Sequence, residues 1–262
     1  MLQQLGAHTF ALIIYPGLLA IALFGVIAEF AWTALSERVM LPLSLNLRRP
    51  APTVVIGAAL GALAASQVAA PFSFIPAQER NLLIAVAALA FIQWTAEQLP
   101  DNAPLLLVAQ LGWIVAVLGP AVEPQSLRPS VLGATVVPGL IPLKLACGLL
   151  YILCLPILLR LVPQPQPDQR RSPARFDGAR ALRWFPYCGL FATLYFTPSG
   201  DDLLGVVRFV GLAIAAGAAA ILIAFALRRR RPSSVPMLYR RVVAPFAIFV
   251  LLLTAATSLL MR

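Results

Sequence analysis

The amino-acid sequence predicts an all-α fold, a polytopic transmembrane helix bundle of about eight spans with both termini outside. Its composition is the first indication. Hydrophobic residues make up 60% of the chain and charged residues 11%, whereas a soluble domain carries about 25% charged residues. The mean hydropathy is +0.88. Because 262 residues are used up by about eight spans of roughly 20 residues and their loops, we expect a single transmembrane domain, 1–262.

Eight apolar runs define the predicted spans, at about 10–35, 53–71, 82–98, 104–122, 138–162, 185–197, 204–227 and 242–261. The first run lacks a basic region before it and an A-x-A cleavage site after it, so we expect a retained helix rather than a signal peptide. The sixth run is the shortest. It spans only if its helix begins near Trp184, and the count falls to seven if this segment is re-entrant.

Positive residues fall on alternate loops, and this pattern predicts the orientation. The opposite loops are poor in basic residues or acidic, as in SGDD at 199–202. The positive-inside rule therefore places the basic loops in the cytoplasm and the chain in the cytoplasmic (inner) membrane. A re-entrant sixth run would put the two most basic loops on opposite faces, which favours eight spans. The basic loop residues are Arg38, Arg48, Arg49, Arg170, Arg171, Arg175, Arg180, Arg183, 228–231, Arg240 and Arg241.

Composition and motifs also exclude several classes of function. The net charge of +10 is explained by these loops, so no nucleic-acid partner is predicted. The three cysteines form no CxxC pair and His8 is the single histidine, so no metal site is predicted either. Nucleotide-binding and hydrolase motifs such as GxGxxG and HExxH are absent from the sequence.

Four charged residues lie within the apolar runs or near their ends, namely Glu29, Lys144, Arg160 and Arg208. A charge inside a membrane is a functional hypothesis by default. Two interpretations of Glu29 remain open: it faces the bundle and takes up a proton, or it extends to the inner headgroups. The three basic residues are expected to extend towards headgroups, because long side chains near helix ends do so.

Two stretches carry a resemblance to a known family. The first is SERVMLPLSLNLRRP at 36–50, and the second is RRSPARFDGARALRWFPYCGLFATLYF at 170–196. Together they resemble the membrane subunit of respiratory complex I that adjoins the peripheral arm (subunit 1, or H) and its relatives in membrane-bound hydrogenases. The resemblance covers nearly the whole chain in layout and about ten positions in identity.

The first stretch is similar to the family pattern E-R-K-x-L-A-x-x-Q-x-R-x-G-P. Glu37, Arg38, Leu41 and Pro50 match it at the same spacing, and Arg48 lies one place from the family's arginine.

The second stretch is similar to R-T-P-F-D followed by E-Y-S-G. Arg171 opens R-S-P, Asp177 closes F-D after a two-residue insertion, and Tyr187 and Gly189 match Y-x-G.

The departures from the family concern its acidic residues. The family's loop carries glutamates thought to couple quinone reduction to proton movement. Here the loop carries Arg175, Arg180 and Arg183, and Pro186 replaces the glutamate before the tyrosine. Clustered carboxylates raise one another's pKa and can load a proton, whereas arginine is not deprotonated in proteins. The resemblance therefore implies that the coupling chemistry has been lost or altered.

Two interpretations of the arginine-rich segment remain open. It forms a docking surface for acidic residues of a soluble partner, or it is an amphipathic helix lying among lipid headgroups. In the second case Ala179, Leu182, Trp184 and Phe185 are expected on the lipid side.

The resemblance implies a membrane-anchor subunit of a complex I-like or hydrogenase-like energy-converting electron-transfer assembly, with degenerate quinone and proton-coupling residues. The chain would be at most a non-catalytic or quinone-site subunit of an oxidoreductase complex, holding no cofactor itself but meeting quinone at an interface. Its partners would be other membrane subunits, a soluble electron-transfer module and lipids. Glu29 and Glu37 are the candidate catalytic residues. The candidate quinone and partner-interface residues are Arg38, Arg48, Arg49, Arg171, Arg175, Asp177, Arg180, Arg183 and Tyr187.

Other functions stay open as well. The alternative is a stand-alone transporter or channel with helices broken at prolines. It predicts a polar pathway, although the apolar runs hold few polar residues at their centres. A lipid-modifying enzyme is a third hypothesis, for which the sequence offers no nucleophile motif. The prolines that would break helices are Pro16, Pro138, Pro142, Pro156 and Pro245.

Overall fold

All regular secondary structure in the described part of the chain is helical. The structure is a computed structural model, and it describes residues 9–10, 12–37, 52–96, 103–122, 124–134, 140–162, 178–196, 200–229 and 234–260. An all-helical fold is expected where hydrocarbon surrounds the chain, because a helix satisfies its backbone hydrogen bonds within the segment.

Each of the eight predicted apolar runs contains a long helix. These are α1 Leu18–Glu37, α2 Pro52–Ser66, α3 Leu82–Ala96, α4 Ala103–Leu118, α6 Ile141–Leu158, α7 Gly178–Tyr195, α8 Leu203–Arg228 and α10 Ala244–Leu260. Two short helices, α5 Pro129–Ala134 and α9 Ser234–Leu238, lie between them. A 3₁₀ turn, Gly119–Val122, extends α4, and a π turn, Tyr239–Val243, joins α9 to α10.

Five of these helical stretches are long and apolar enough to cross a membrane: Leu18–Ser36, Pro104–Val122, Ile141–Leu158, Leu203–Arg228 and Ser234–Leu259. Two shorter stretches, Val54–Ser66 and Leu82–Gln93, are also apolar. The protein is therefore a multi-pass helical membrane protein.

Helix α7 is the central helix, packing against α1, α2, α5, α6 and α8. It runs antiparallel to α6. Near its start, Arg183 NH1 lies 3.4 Å from the Leu158 carbonyl oxygen. One turn later, the Tyr151 hydroxyl donates to the Tyr187 carbonyl at 2.7 Å. The sixth apolar run thus belongs to a continuous helix that begins before Trp184 and follows α6 along its length.

Helix α1 crosses α7 at very short range. A Cβ atom placed on Gly25 would collide with the backbone carbonyl of Ala181. Only glycine allows two backbones to come this close, as in many membrane helix pairs. Gly25 therefore decides how closely the side chains on either side of the crossing approach one another.

Prolines do not break the described helices near their middles in the way the transporter hypothesis needs. Pro16 precedes α1, and Pro142 lies in the first turn of α6, where the missing N–H has no intrahelical partner to lose. Pro245 directly follows the π turn, inside the continuous helical stretch Ser234–Leu259. Pro156 lies inside α6, close to its end. Pro138 falls outside the described residues.

Acidic residues organise the end of the bundle where α8 begins. Asp202 caps α8 by accepting a hydrogen bond from the Gly205 N–H at 2.8 Å. Asp201 accepts from the Phe72 N–H at 2.7 Å. The Arg80 guanidinium donates to the Ile75 carbonyl at 2.8 Å. Burial lowers the pKa of Arg80, and the nearby Asp201 carboxylate partly offsets this.

The ammonium group of Lys144 binds protein rather than extending freely to headgroups. Its Nζ donates to the carbonyls of Leu132 and Gly133 at 3.0 and 3.3 Å, at the carboxyl end of α5. A cation is favourable there because the last carbonyls of a helix carry partial negative charge. Arg208, by contrast, is exposed, as the sequence predicts.

Candidate functional site

A buried ion pair joins α1 to α7. The Glu29 side chain has no exposed surface, and that of Arg180 is 14% exposed. Arg180 Nε lies 2.8 and 3.0 Å from the two carboxylate oxygens, and its NH2 group also contacts Oε1. The Trp184 indole N–H donates to the same carboxylate at 3.4 Å. The headgroup interpretation of Glu29 is therefore wrong, and its orientation towards the bundle is confirmed.

Helical spacing explains why these groups converge. Arg180 and Trp184 are four residues apart, so they share one face of α7. That face meets α1 next to the Gly25 crossing, one turn before Glu29. The close backbone approach brings the carboxylate within reach of both donors. The ion pair thus depends on the close approach of the helices at Gly25 as well as on the opposite charges of Glu29 and Arg180.

Three arginines surround the carboxyl end of α6. We call Arg180, Arg183 and Arg228 the arginine collar. They donate to the backbone carbonyls of Arg160, Leu158 and Leu161 at 3.5, 3.4 and 3.2 Å, respectively. The last carbonyls of a helix have no intrahelical donor and carry partial negative charge. The collar satisfies them with charged donors from α7 and α8.

The way α6 ends exposes these carbonyls. Arg160 adopts a left-handed backbone conformation with φ 53°, which is typical of the residue that terminates a helix. The carbonyls of Leu158 and Arg160 accept from arginines of α7, and the carbonyl of Leu161 accepts from Arg228 of α8. A residue other than glycine carries some strain at such an angle.

The second collar arginine belongs to a buried polar network. Arg183 is fully buried, and its NH1 donates to Gln93 Oε1 at 3.0 Å. The Gln93 amide donates in turn to the Leu158 carbonyl at 2.8 Å and to the Tyr187 hydroxyl at 3.2 Å. The network ties α3, α6 and α7 together. It also gives a buried guanidinium neutral acceptors inside an apolar bundle, where unsatisfied polar groups are costly.

The third collar arginine lies over an aromatic ring. The Arg228 guanidinium carbon is 4.4 Å from the centre of the Trp32 ring, within the range of a cation–π interaction. Trp32 contacts Phe225 at 5.6 Å between ring centres. Arg180 lies near the start of α7 and Arg228 at the end of α8, and both contact the end of α6. The start of α7 and the ends of α6 and α8 therefore lie at the same end of the bundle. This agrees with the alternation of basic loops.

The chemistry of the site is that of fixed positive charge. The collar contributes three guanidinium groups and Glu29 one carboxylate, so the cluster carries net charge +2 when Glu29 is ionised. Guanidinium groups do not release protons in proteins. In the described part of the chain no group of histidine, cysteine and acidic residues is placed to hold a metal ion. The arrangement is suited to holding helices together and to attracting anions.

Several predicted site residues lie outside the described part of the chain. Glu37 ends α1, but its side chain is not described. Tyr187 is buried in the network above. The remaining predicted site residues all lie outside the described ranges. They are Arg38, Arg48, Arg49, Arg171, Arg175 and Asp177.

The lipid-facing interpretation of the arginine-rich segment is wrong at two residues. Trp184 and Phe185 are buried in the bundle, with 0% and 4% of their surface exposed, and Leu182 is half-buried. Arg180 and Arg183 likewise turn inwards to Glu29 and Gln93. For these two arginines the acidic or polar partner lies within the chain. A docking surface for a soluble partner therefore stays a prediction for Arg171 and Arg175.

Gln93 and Trp32 belong to the site but were not among the residues predicted from the sequence. Gln93 interrupts the apolar run LLIAVAALAFIQWTA, and a polar side chain in such a run is a detectable signal. Trp32 carries no such signal, because an aromatic residue in an apolar helix is ordinary core. Its role depends on Arg228, which approaches from a different helix.

Comparison with solved structures shows the fold. A chain in the structure of the membrane-bound sulfane sulfur reductase, described as an archaeal respiratory membrane complex, aligns with TM-score 0.69. The alignment covers 95% of this chain and 99% of that chain, at 14% sequence identity. No known sequence family and no curated protein matches the chain.

Proposed function

We propose that the chain is a membrane-anchor subunit of an energy-converting electron-transfer assembly of the complex I-like or hydrogenase-like type. In this proposal it is one domain, crosses the cytoplasmic membrane eight times and has both termini outside. The observation that carries the proposal is the shared fold, which extends over 95% of this chain and 99% of a chain from a respiratory membrane complex. The motif resemblance at 36–50 and 170–196 adds independent support.

Within this function the arginine collar has a structural role. It holds α1, α6, α7 and α8 together at the basic end of the bundle, where a soluble electron-transfer module would dock. Glu29 is engaged by Arg180 and Trp184, so its carboxylate oxygens are already bound by donors within the chain. This geometry supports a degenerate coupling site rather than a proton-loading one. Glu37 and quinone contact at an interface remain proposals that the described residues do not address.

Co-purification tests the proposal. The tagged chain is extracted from native membranes in a mild detergent, and its partners are identified by mass spectrometry. Stoichiometric iron–sulfur and antiporter-like subunits are the expected result. A homogeneous monomer or homodimer, with the complete chain stable and no partner recovered, would contradict an anchor subunit.

Turnover of the assembly tests the role of Glu29. The variant Glu29→Gln keeps the size of the side chain but removes its charge. We expect less intact assembly in the membrane but unchanged quinone-linked turnover per intact complex. A proton-coupling role predicts the opposite, namely normal assembly with turnover lost.

The second candidate, a stand-alone transporter or channel, has less support. It needs helices broken near the bilayer centre, whereas α6 and α7 continue as α-helix through Pro156 and Pro186. Solute flux into liposomes containing the purified chain would favour this candidate over the anchor subunit.

A further inference from the structure

An apolar groove runs along the outside of the bundle between α1 and α8. Both helices pack on α7, and the space left between them measures about 450 Å³. Phe24 and Leu35 mark the two ends of its α1 wall, Ala218 lies in its α8 wall, and Trp184 of α7 contributes to its lining. Apart from the Trp184 indole N–H, the lining side chains are apolar.

The length of the groove matches half a bilayer. The α1 wall from Phe24 to Leu35 is about 16 Å long at 1.5 Å per residue. Half of the hydrocarbon core is about 15 Å thick. The groove therefore accommodates a chain that extends through one leaflet, such as the acyl chain of a phospholipid, without crossing the membrane.

One end of the groove, at Leu35, lies near the arginines at the end of α8. Leu35, at its end, lies one turn beyond Trp32, and Arg228 lies over the Trp32 ring. Arg229 follows Arg228 and is exposed. A lipid whose acyl chain fills the groove thus has its headgroup beside two arginines. Basic sites between helices bind anionic headgroups, and each basic residue near the surface contributes about 1 kcal/mol.

We propose that the α1–α8 groove is a binding site for one anionic phospholipid. Its acyl chain lies between the apolar walls of α1 and α8, and its phosphate binds Arg229, with the guanidinium of Arg228 nearby. Trp184 is buried beneath the groove, where its indole N–H donates to Glu29. The site goes beyond the proposed function, because it does not depend on any partner subunit.

The acyl-chain part of the site is tested by filling the groove. The full-length chain is equilibrated with mixed micelles containing phosphatidylglycerol or phosphatidylcholine, and retained lipids are counted by native mass spectrometry. Ala218 is exposed in the groove, so Ala218→Phe occupies its space without entering the core. Ala255→Phe, at an exposed position on α10, is the matched control. We expect one phosphatidylglycerol on the wild type and the control, and none on Ala218→Phe.

The headgroup part is tested by removing one charge. Arg229→Gln is expected to weaken retention of phosphatidylglycerol about fivefold, the equivalent of about 1 kcal/mol. Arg241→Gln, at an exposed arginine away from the groove, is the matched control and should leave retention unchanged. Phosphatidylcholine should bind more weakly than phosphatidylglycerol to the wild type, and this difference between the two lipids should be smaller for Arg229→Gln, which keeps only Arg228 near the headgroup.

Other outcomes overturn the proposal. Equal retention of both lipids by all variants would mean that the bound lipid lies elsewhere. Displacement by a short-chain quinone, with no preference for phosphatidylglycerol, would assign the groove to quinone. If the wild type forms a dimer and Ala218→Phe does not, the groove would instead be assigned to a second copy of the chain. Thermal unfolding of each variant checks that reduced lipid retention does not result from unfolding.

Discussion

Arg180 lies 2.8 Å from a carboxylate oxygen of Glu29, although 151 positions separate the two residues in the chain. This contact connects the first long helix with the central one at the basic end of the bundle. Neither charge has much access to water, since the two side chains are 14% and 0% exposed. Removing one partner of such a pair leaves the other charge uncompensated, which typically costs 3–5 kcal/mol.

Neutralising both members of the pair should therefore destabilise the protein by less than the summed effects of neutralising each member alone. We expect Glu29→Gln and Arg180→Gln each to lower the free energy of unfolding by about 3 kcal/mol. The double variant should lose clearly less than the sum, because no lone charge remains. Unfolding in mixed micelles with increasing dodecyl sulfate measures all three values. Glu79→Gln, at an exposed loop position, is the control, and strictly additive losses would argue against a direct interaction.

The crossing of α1 and α7 makes a sharp prediction for two glycines. Gly25→Ala places a methyl group on the Ala181 carbonyl, so the helices must separate and weaken the Glu29 contact; we expect a loss of about 2–3 kcal/mol. Gly211→Ala on α8 meets no atom within 4 Å and should be neutral or stabilising by up to about 1 kcal/mol. Thermal unfolding of the two variants compares them directly. Equal stability would rule out a tight crossing.

The buried network around Arg183 should respond in graded steps. Gln93→Leu removes an acceptor from Arg183 and a donor to the Leu158 carbonyl, so we expect a loss of about 2–3 kcal/mol. Tyr187→Phe removes a hydroxyl that accepts from Gln93 and should cost about 1 kcal/mol. Denaturation in detergent micelles measures the loss in the free energy of unfolding for each variant. A larger effect for Tyr187→Phe would show that the hydroxyl has a further role.

Cysteine labelling tests the orientation of the bundle. The native Cys147, Cys154 and Cys188 are all buried, so a membrane-impermeant maleimide should give little background. We expect Arg229→Cys to react in inside-out vesicles, and Gln78→Cys and Arg128→Cys to react in intact spheroplasts. Reaction of Arg229→Cys and Gln78→Cys from the same side would contradict the alternating topology.

The helices could be predicted from the sequence, but the contacts between them could not. Every apolar run contains a helix, since long apolar stretches have few alternatives in lipid. The partners of Glu29 and Gln93 were not predictable, because each contact joins helices far apart in the chain. The central helix was misinterpreted for a related reason. Arg180 and Arg183 make its start look amphipathic, but Glu29, Gln93 and the carbonyls at the end of α6 supply acceptors for them inside the bundle.

The helices differ in length in a way that affects the surrounding bilayer. Helix α8 has 26 residues and measures about 39 Å, whereas α2 and α3, which pack against each other, have 15 residues each and measure about 22 Å. The hydrocarbon core is about 30 Å thick. In the proposed eight-span arrangement, lipid beside α2 and α3 would thin, while α8 would tilt or thicken the lipid next to it. The bundle would then have a short side and a tall side, so hydrophobic mismatch alone would favour some orientations of neighbouring membrane proteins over others.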